Sequence, residues 1–220
     1  MTAKRSFGTP IVDPYGGMRN VAYSGILLLV GLLGGCGSLA PQGEVHNVMS
    51  AERLWVKSQG GYSADTIEQQ RAETLCKRMT SGLIKTAIHV RIVNSAAIGA
   101  WSWPDGDIDI ATGLMQRLNN GELCAAIAHE MGHLINDHHV ITLAALTGQN
   151  TALGREAAAD RTACHILIKH GLPMDDLIKA LCVVRQCCEA SSLRTSLTRR
   201  IFLIAERERR YTVNRIGSLK

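Results

Sequence analysis

Five residues, His129-Glu130-Met131-Gly132-His133, hold the densest chemistry in the chain. Residues four apart share one face of a helix, so a helix here aims two imidazoles at one point. Such a pair binds a divalent metal such as zinc, and the Glu130 carboxylate beside it suits a general base acting on water. That combination points to hydrolysis, with peptide bonds as the leading substrate class. The flanking residues agree with a helix. Asn119 can cap it, and Glu122 stands three residues on, as in a capping box. Leu123, Ala126, Ile127, Met131 and Leu134 form an apolar stripe, unbroken until Asn136-Asp137. Gly132, lacking a side chain, lets another element come close to the metal.

A catalytic zinc usually takes three protein ligands. His138 and His139 follow at once, but five and six residues past His133 they point off its face. Glu156 is the better candidate. It stands with Asp160 in Glu156-Ala157-Ala158-Ala159-Asp160, inside a helix-forming stretch from Gly154 to about His170. The two acids share a face, and acids set among alanines need a partner wherever they are buried. The expectation is Glu156 as third ligand. Asp160 would stand behind it, accepting a hydrogen bond from the outer ring nitrogen of His129. The contrary expectation is a solvated face, with Glu156 beside Arg155 and Asp160 beside Arg161.

His129-Glu130-x-x-His133 followed by Glu156-x-x-x-Asp160 resembles the gluzincin metallopeptidases of the HtpX and CAAX-prenyl-endopeptidase type. The likeness runs from about Ala51 to Ile204. Val93 to Ala97 is similar to that family's edge-strand segment, and Asp107 to Leu114 to the strand and turn before its active-site helix. The resemblance implies an α+β, mainly helical, zincin-like domain with a small three-stranded sheet beside the active-site helix. It implies one Zn2+ per chain. It also implies a polypeptide substrate lying extended along Ala96, Ala97, Ile98, Gly99 and Ala100, added as a strand to the sheet edge. Trp101 and Trp103 flank that segment, chiefly as packing. The chain departs from the family near its end. Where relatives carry His-Pro six residues before Arg-Ile, this chain has Arg194-Thr195 before Arg200-Ile201. Arg194 and Arg200 are then candidate cations for a developing oxyanion, and Arg194 is equally readable as a surface residue. The function implied is a zinc-dependent endopeptidase acting on extended or misfolded envelope proteins. The alternative is a chaperone-like lipoprotein of the same fold that holds clients without cutting them.

The start of the chain speaks to location. Val21 to Gly35 is apolar but shorter than the roughly 20 residues a membrane-spanning helix needs. Arg19 precedes it and Leu33-Gly34-Gly35-Cys36 ends it, the pattern of a secretory signal with small residues at the cut. The cysteine makes it resemble a bacterial lipoprotein signal. Residues 1–35 are therefore expected to be a signal peptide, with Met18 as the plausible true start. Cys36 would be the lipidated first residue, 36–45 a tether and 46–220 the peptidase domain. Gly37 after Cys36 suits an outer-membrane lipoprotein on the periplasmic face. The formal net charge is +5. Residues 1–35 hold Lys4, Arg5 and Arg19 against Asp13, so the remainder keeps only a small positive balance and makes no case for nucleic-acid binding. Cys76, Cys124, Cys164, Cys182, Cys187 and Cys188 permit disulfides outside the cytoplasm. Cys124 and Cys164 lie on the two site helices and could meet, though small buried thiols are the simpler reading.

The remaining elements must hold the site. Ser50 to Val56 and Ala64 to Ser81 have helical periodicity, and Gly82 marks a stop. His89 to Val93, Ile98 to Trp103 and Asp107 to Ile110 read as strands, with Pro104-Asp105-Gly106 as a turn. Helices are expected over Val140 to Leu146, Arg155 to His170, Asp175 to Glu189 and Leu193 to Arg209.

Overall fold

The computed structural model describes residues 50, 52–82, 87–136 and 152–217. The expected signal segment, Cys36, the tether, His138, His139 and the helix over Val140 to Leu146 lie outside them. Residues 52–58 form α1. Helix α2 spans Thr66–Thr80, capped by the Asp65 carboxylate, which accepts from the Ile67 and Glu68 amides at 3.0 and 3.1 Å. It stops before Gly82, whose φ of 69° only glycine adopts cheaply.

Three strands follow: β1 (His89–Val93), β2 (Ala100–Ser102) and β3 (Asp107–Ala111), in the order β1-β3-β2. β1 runs parallel to β3, with Ile92 opposite Ile110, and β2 is antiparallel to β3. Burial of Ile108, Asp109, Ile110 and Ala111 on both faces marks β3 as the central strand. The outer edge of β1 is covered. Val93 bridges Tyr62, and the Gln69 amide donates to Val90 O at 2.7 Å and accepts from Ile92 N at 3.1 Å. Among the described residues no strand covers the outer edge of β2.

The expected edge strand is corrected here. Ala96, Ala97, Ile98 and Gly99 are not in a strand, and of that segment only Ala100 is. The cause is tertiary. Thr112 Oγ1 donates to Ser95 O at 2.7 Å and accepts from Ser95 N at 3.1 Å, turning the chain. The Ala96 and Ala97 carbonyls then lie so close to Gly113 that a Cβ there would overlap both. Ala96 is exposed there, and the chain rejoins β3 only at Gly99, whose carbonyl accepts from Ala111 N at 3.1 Å.

After β3 come α3 (Thr112–Met115), α4 (Asn120–Ile135), α5 (Ala152–Lys169), α6 (Asp175–Cys187) and α7 (Ser191–Gly217). The mainly helical α+β class is as expected, and α7 extends beyond the expected Arg209. Helix α4 is the hub, packing on α2, α5, α6 and β2. Its Leu123, Ile127 and Met131 are fully buried, each worth about 1.5–3 kcal/mol in apolar transfer. Its entry is fixed by Arg71 on α2, which donates to Leu118 O at 2.6 Å and to Asn120 Oδ1 at 2.8 Å. Among the described residues no helix is long and apolar enough to cross a membrane.

Candidate metal centre

The capping box exists as the sequence suggested. Asn119 Oδ1 accepts from Glu122 N, and Glu122 Oε2 accepts from Asn119 N, both at 3.0 Å. From that fixed start, α4 carries His129 and His133 on one face. Their rings stand edge to face with centroids 4.8 Å apart, and their Nε2 atoms are separated by 3.2 Å.

Helix α5 crosses α4 at Gly132. A Cβ on Gly132 would lie 2.6 Å from Ala159 O and 2.8 Å from Ala159 Cα, so only glycine permits this approach. A second tie comes from Asn136 Nδ2, which donates to Thr162 Oγ1 at 3.0 Å. The close crossing decides what the acids beside Ala159 can reach. Glu156 Oε2 lies 3.4 Å from His129 Nε2, and its Oε1 lies 3.4 Å from His133 Nε2. Asp160 Oδ1 sits 3.0 Å from His129 Nδ1. Among the described residues, His129, His133 and Glu156 form the one group of three donors able to share a metal ion.

The donor set fits zinc. The two imidazole Nε2 atoms lie 3.2 Å apart, close to the roughly 3.3 Å between neighbouring ligands of a tetrahedral zinc, and one donor atom from each of the three residues lies within 4.8 Å of the others. Asp160 accepts at Nδ1 of His129, which leaves the Nε2 lone pair to face the other donors. The solvated-face reading fails for Asp160, whose side chain is 6% exposed, while Glu156 is half-buried and faces both imidazoles.

Burial and the Arg200 charge oppose a proton on His129, but its bonds to Asp160 and Glu156 outweigh them and push the imidazole up to about 10. Burial by itself raises Glu156, yet hydrogen bonds to His129 and His133 hold it far below the carboxylate range. Asp160 is likewise pushed up by burial but drawn below its ordinary value, first by Arg200 and then by His129. His129, Glu156, Asp160 and Arg200 thus form one ion cluster at the meeting of three helices.

Glu130 lies buried on α4 between the two histidines in sequence. The two arginines part company. Arg194 is exposed near the start of α7 and donates to Glu189 O at 3.4 Å, so the structure does not bring it to the site. Arg200 is buried and reaches it. Its Nε and Nη2 donate to the two Asp160 oxygens, each at 2.8 Å, and its Nη1 lies 2.6 Å from Glu156 Oε2. The sequence signal was present: Leu197, Arg200 and Ile204 fall on one buried stripe of α7.

Trp103 packs as expected, with its Nε1 donating to Asp109 Oδ2 at 2.9 Å, and Trp101 packs against Trp55 with the rings tilted by 58° and centroids 4.4 Å apart. A cluster that sequence reasoning missed lies behind them. Arg91 on β1 pairs with Glu52, with Asp107 at 2.8 Å and with Asp109 at 3.0 Å. Its signal was an aspartate between two isoleucines of a central strand. Cys124 and Cys164, like the other described cysteines, are free thiols; burial pushes Cys164 up to about 11.

Residues 66–154 match the model of peptidase family M48. Over 55 residues the chain is 44% identical to Protease HtpX of Acinetobacter baylyi, covering 25% of this chain and 18% of that protein. It is 22% identical over 76 residues to Metalloprotease YcaL of Escherichia coli, covering 34% of this chain and 30% of that protein. It is 30% identical over 79 residues to Protease HtpX of Acinetobacter baumannii, covering 36% and 26%. The alignments span less than a third of each of these relatives. They bear out the HtpX-type resemblance read from the residues. The matched range holds His129, Glu130 and His133 and ends before Glu156, so the third donor is assigned by geometry.

Proposed function

We propose that this chain is a zinc-dependent endopeptidase that hydrolyses peptide bonds in extended or misfolded polypeptides. One observation carries the reading: His129, His133 and Glu156 converge from two helices, each offering a metal-binding atom within 4.8 Å of the others. The family match and the names of the relatives support it. Zinc held by these residues would polarise the scissile carbonyl and lower the pKa of water.

The chain's own residues do the rest. Asp160 fixes the His129 tautomer, and Glu156 supplies the negative charge that two neutral imidazoles lack. The Glu130 carboxylate takes a proton from the attacking water and delivers it to the leaving amine. The outer edge of β2, which no strand covers among the described residues, is where an extended substrate would add as a strand. Val21 to Gly35 followed by Cys36 supports a lipid anchor on the periplasmic face of a bacterial envelope.

The test is cleavage of casein or an unstructured peptide by the purified protein. Glu130→Gln should lose roughly 10²–10⁴-fold in kcat while keeping its zinc, and a chelator should abolish cleavage. Cleavage that survives both changes refutes the reading. Zinc binding with no cleavage by the wild-type protein favours the client-holding alternative.

A further inference from the structure

We infer that Arg200 is the positioning residue of the metal centre: its guanidinium holds Glu156 and Asp160 in the arrangement that lets His129 and Glu156 act as ligands. This rests on the zinc reading above and deepens it. Two carboxylates four residues apart on α5 face one another across a single turn. Asp160 is buried, with a side-chain exposure of 6%, and Glu156 is half-buried at 34%. Two like charges so placed repel, and each carboxylate needs a fixed partner to keep its oxygens turned toward the imidazoles.

Arg200 removes that conflict from α7, forty residues away in sequence. Its Nε and Nη2 grip Asp160 side-on at 2.8 Å each, the bidentate geometry that only a guanidinium offers. Its Nη1 reaches Glu156 Oε2 at 2.6 Å. Asp160 Oδ1 therefore accepts from Arg200 Nη2 and from His129 Nδ1 at 3.0 Å together, so the arginine orients the imidazole through the aspartate. The Arg200 side chain is 7% exposed, and three of its N–H groups are committed to these two carboxylates. Its role is thus held within the metal's surroundings, and it acts through the ligands.

The experiment measures zinc affinity by chelator competition, and the visible spectrum of the Co2+-loaded protein, for wild type, Arg200→Lys, Arg200→Gln, Asp160→Asn and the Arg200→Lys/Asp160→Asn double variant. Lysine keeps the charge and loses the fork, so Arg200→Lys carries the test should Arg200→Gln fail to fold. Arg200→Lys should bind zinc about 10–100-fold more weakly, the usual loss when a ligand's supporting partner goes. Its Co2+ spectrum should change while the far-UV circular dichroism does not. The double variant should bind more weakly than Asp160→Asn, because Arg200 also holds Glu156, yet lose less than the two single losses combined, because its grip on Asp160 is counted in both. Wild-type affinity and an unchanged Co2+ spectrum in Arg200→Lys would overturn the inference, as would losses that simply add in the double variant. A wild-type protein that takes up no zinc would instead overturn the reading on which the inference rests.

Discussion

Asp109 shows what a buried charge costs this fold and how that cost can be measured. It is fully buried at the centre of β3, facing Arg91 and the Trp103 indole. Burial pushes its carboxyl up to about 6 from an ordinary 3.8, against the pull of Arg91. The folded state therefore keeps this proton to higher pH than the unfolded chain does. The stability it contributes is fully present below about pH 4 and is lost as pH rises through 6. Asp109→Asn carries no such proton. Relative to wild type, the variant should gain about 1–3 kcal/mol between pH 4 and pH 7, since each tenfold change in proton affinity is worth about 1.4 kcal/mol. Urea unfolding at both pH values measures the difference, and a gap independent of pH would contradict the assignment. The residues of the proposed metal centre were more legible than this one. His129, Glu130 and His133 announce themselves because their spacing and their chemistry coincide within one helical turn. Asp109 and Arg91 are 18 residues apart, and nothing local to either reveals the other.

At the scale of elements, the site depends on how closely two helices cross. Glu156 reaches both imidazoles because Gly132 admits the backbone of Ala159. Gly132→Ala leaves every proposed ligand and the base in place. Its methyl group must nonetheless push α5 away, costing about 1–3 kcal/mol of stability as overpacking does. The same displacement should move Glu156 from His129 and His133 and weaken zinc binding at least tenfold, read by chelator competition. Zinc affinity equal to wild type would show that the crossing does not set the ligand geometry. The sequence disclosed the glycine's role because a missing side chain between two ligands has few other uses. It misled at Ala96 to Gly99. An apolar run there has strand character, but the Ser95–Thr112 hydrogen bonds and the Gly113 contact turn it out of strand geometry. Propensity is local, and those partners lie 17 residues away.

At the scale of the molecule, the C-terminal helix completes what the central helices begin. The two α4 histidines and Glu156 of α5 form the proposed donor set, Asp160 backs His129, and α7 delivers Arg200 to both carboxylates. The order of helices was readable from periodicity, and the meeting of three of them at one point was not. That meeting needs the crossing at Gly132 and the buried stripe of Leu197, Arg200 and Ile204. A metal bound there stabilises only the folded chain, by about 2.7 kcal/mol at a hundredfold excess of free zinc over Kd. The central claim is the coordination sphere itself. X-ray absorption at the zinc edge, on protein loaded with one equivalent, tests it most directly. The account predicts two imidazole nitrogens and oxygen donors at about 2.0–2.1 Å, with one imidazole lost in His133→Ala. A spectrum free of imidazole scattering, or unchanged by His133→Ala, would contradict it.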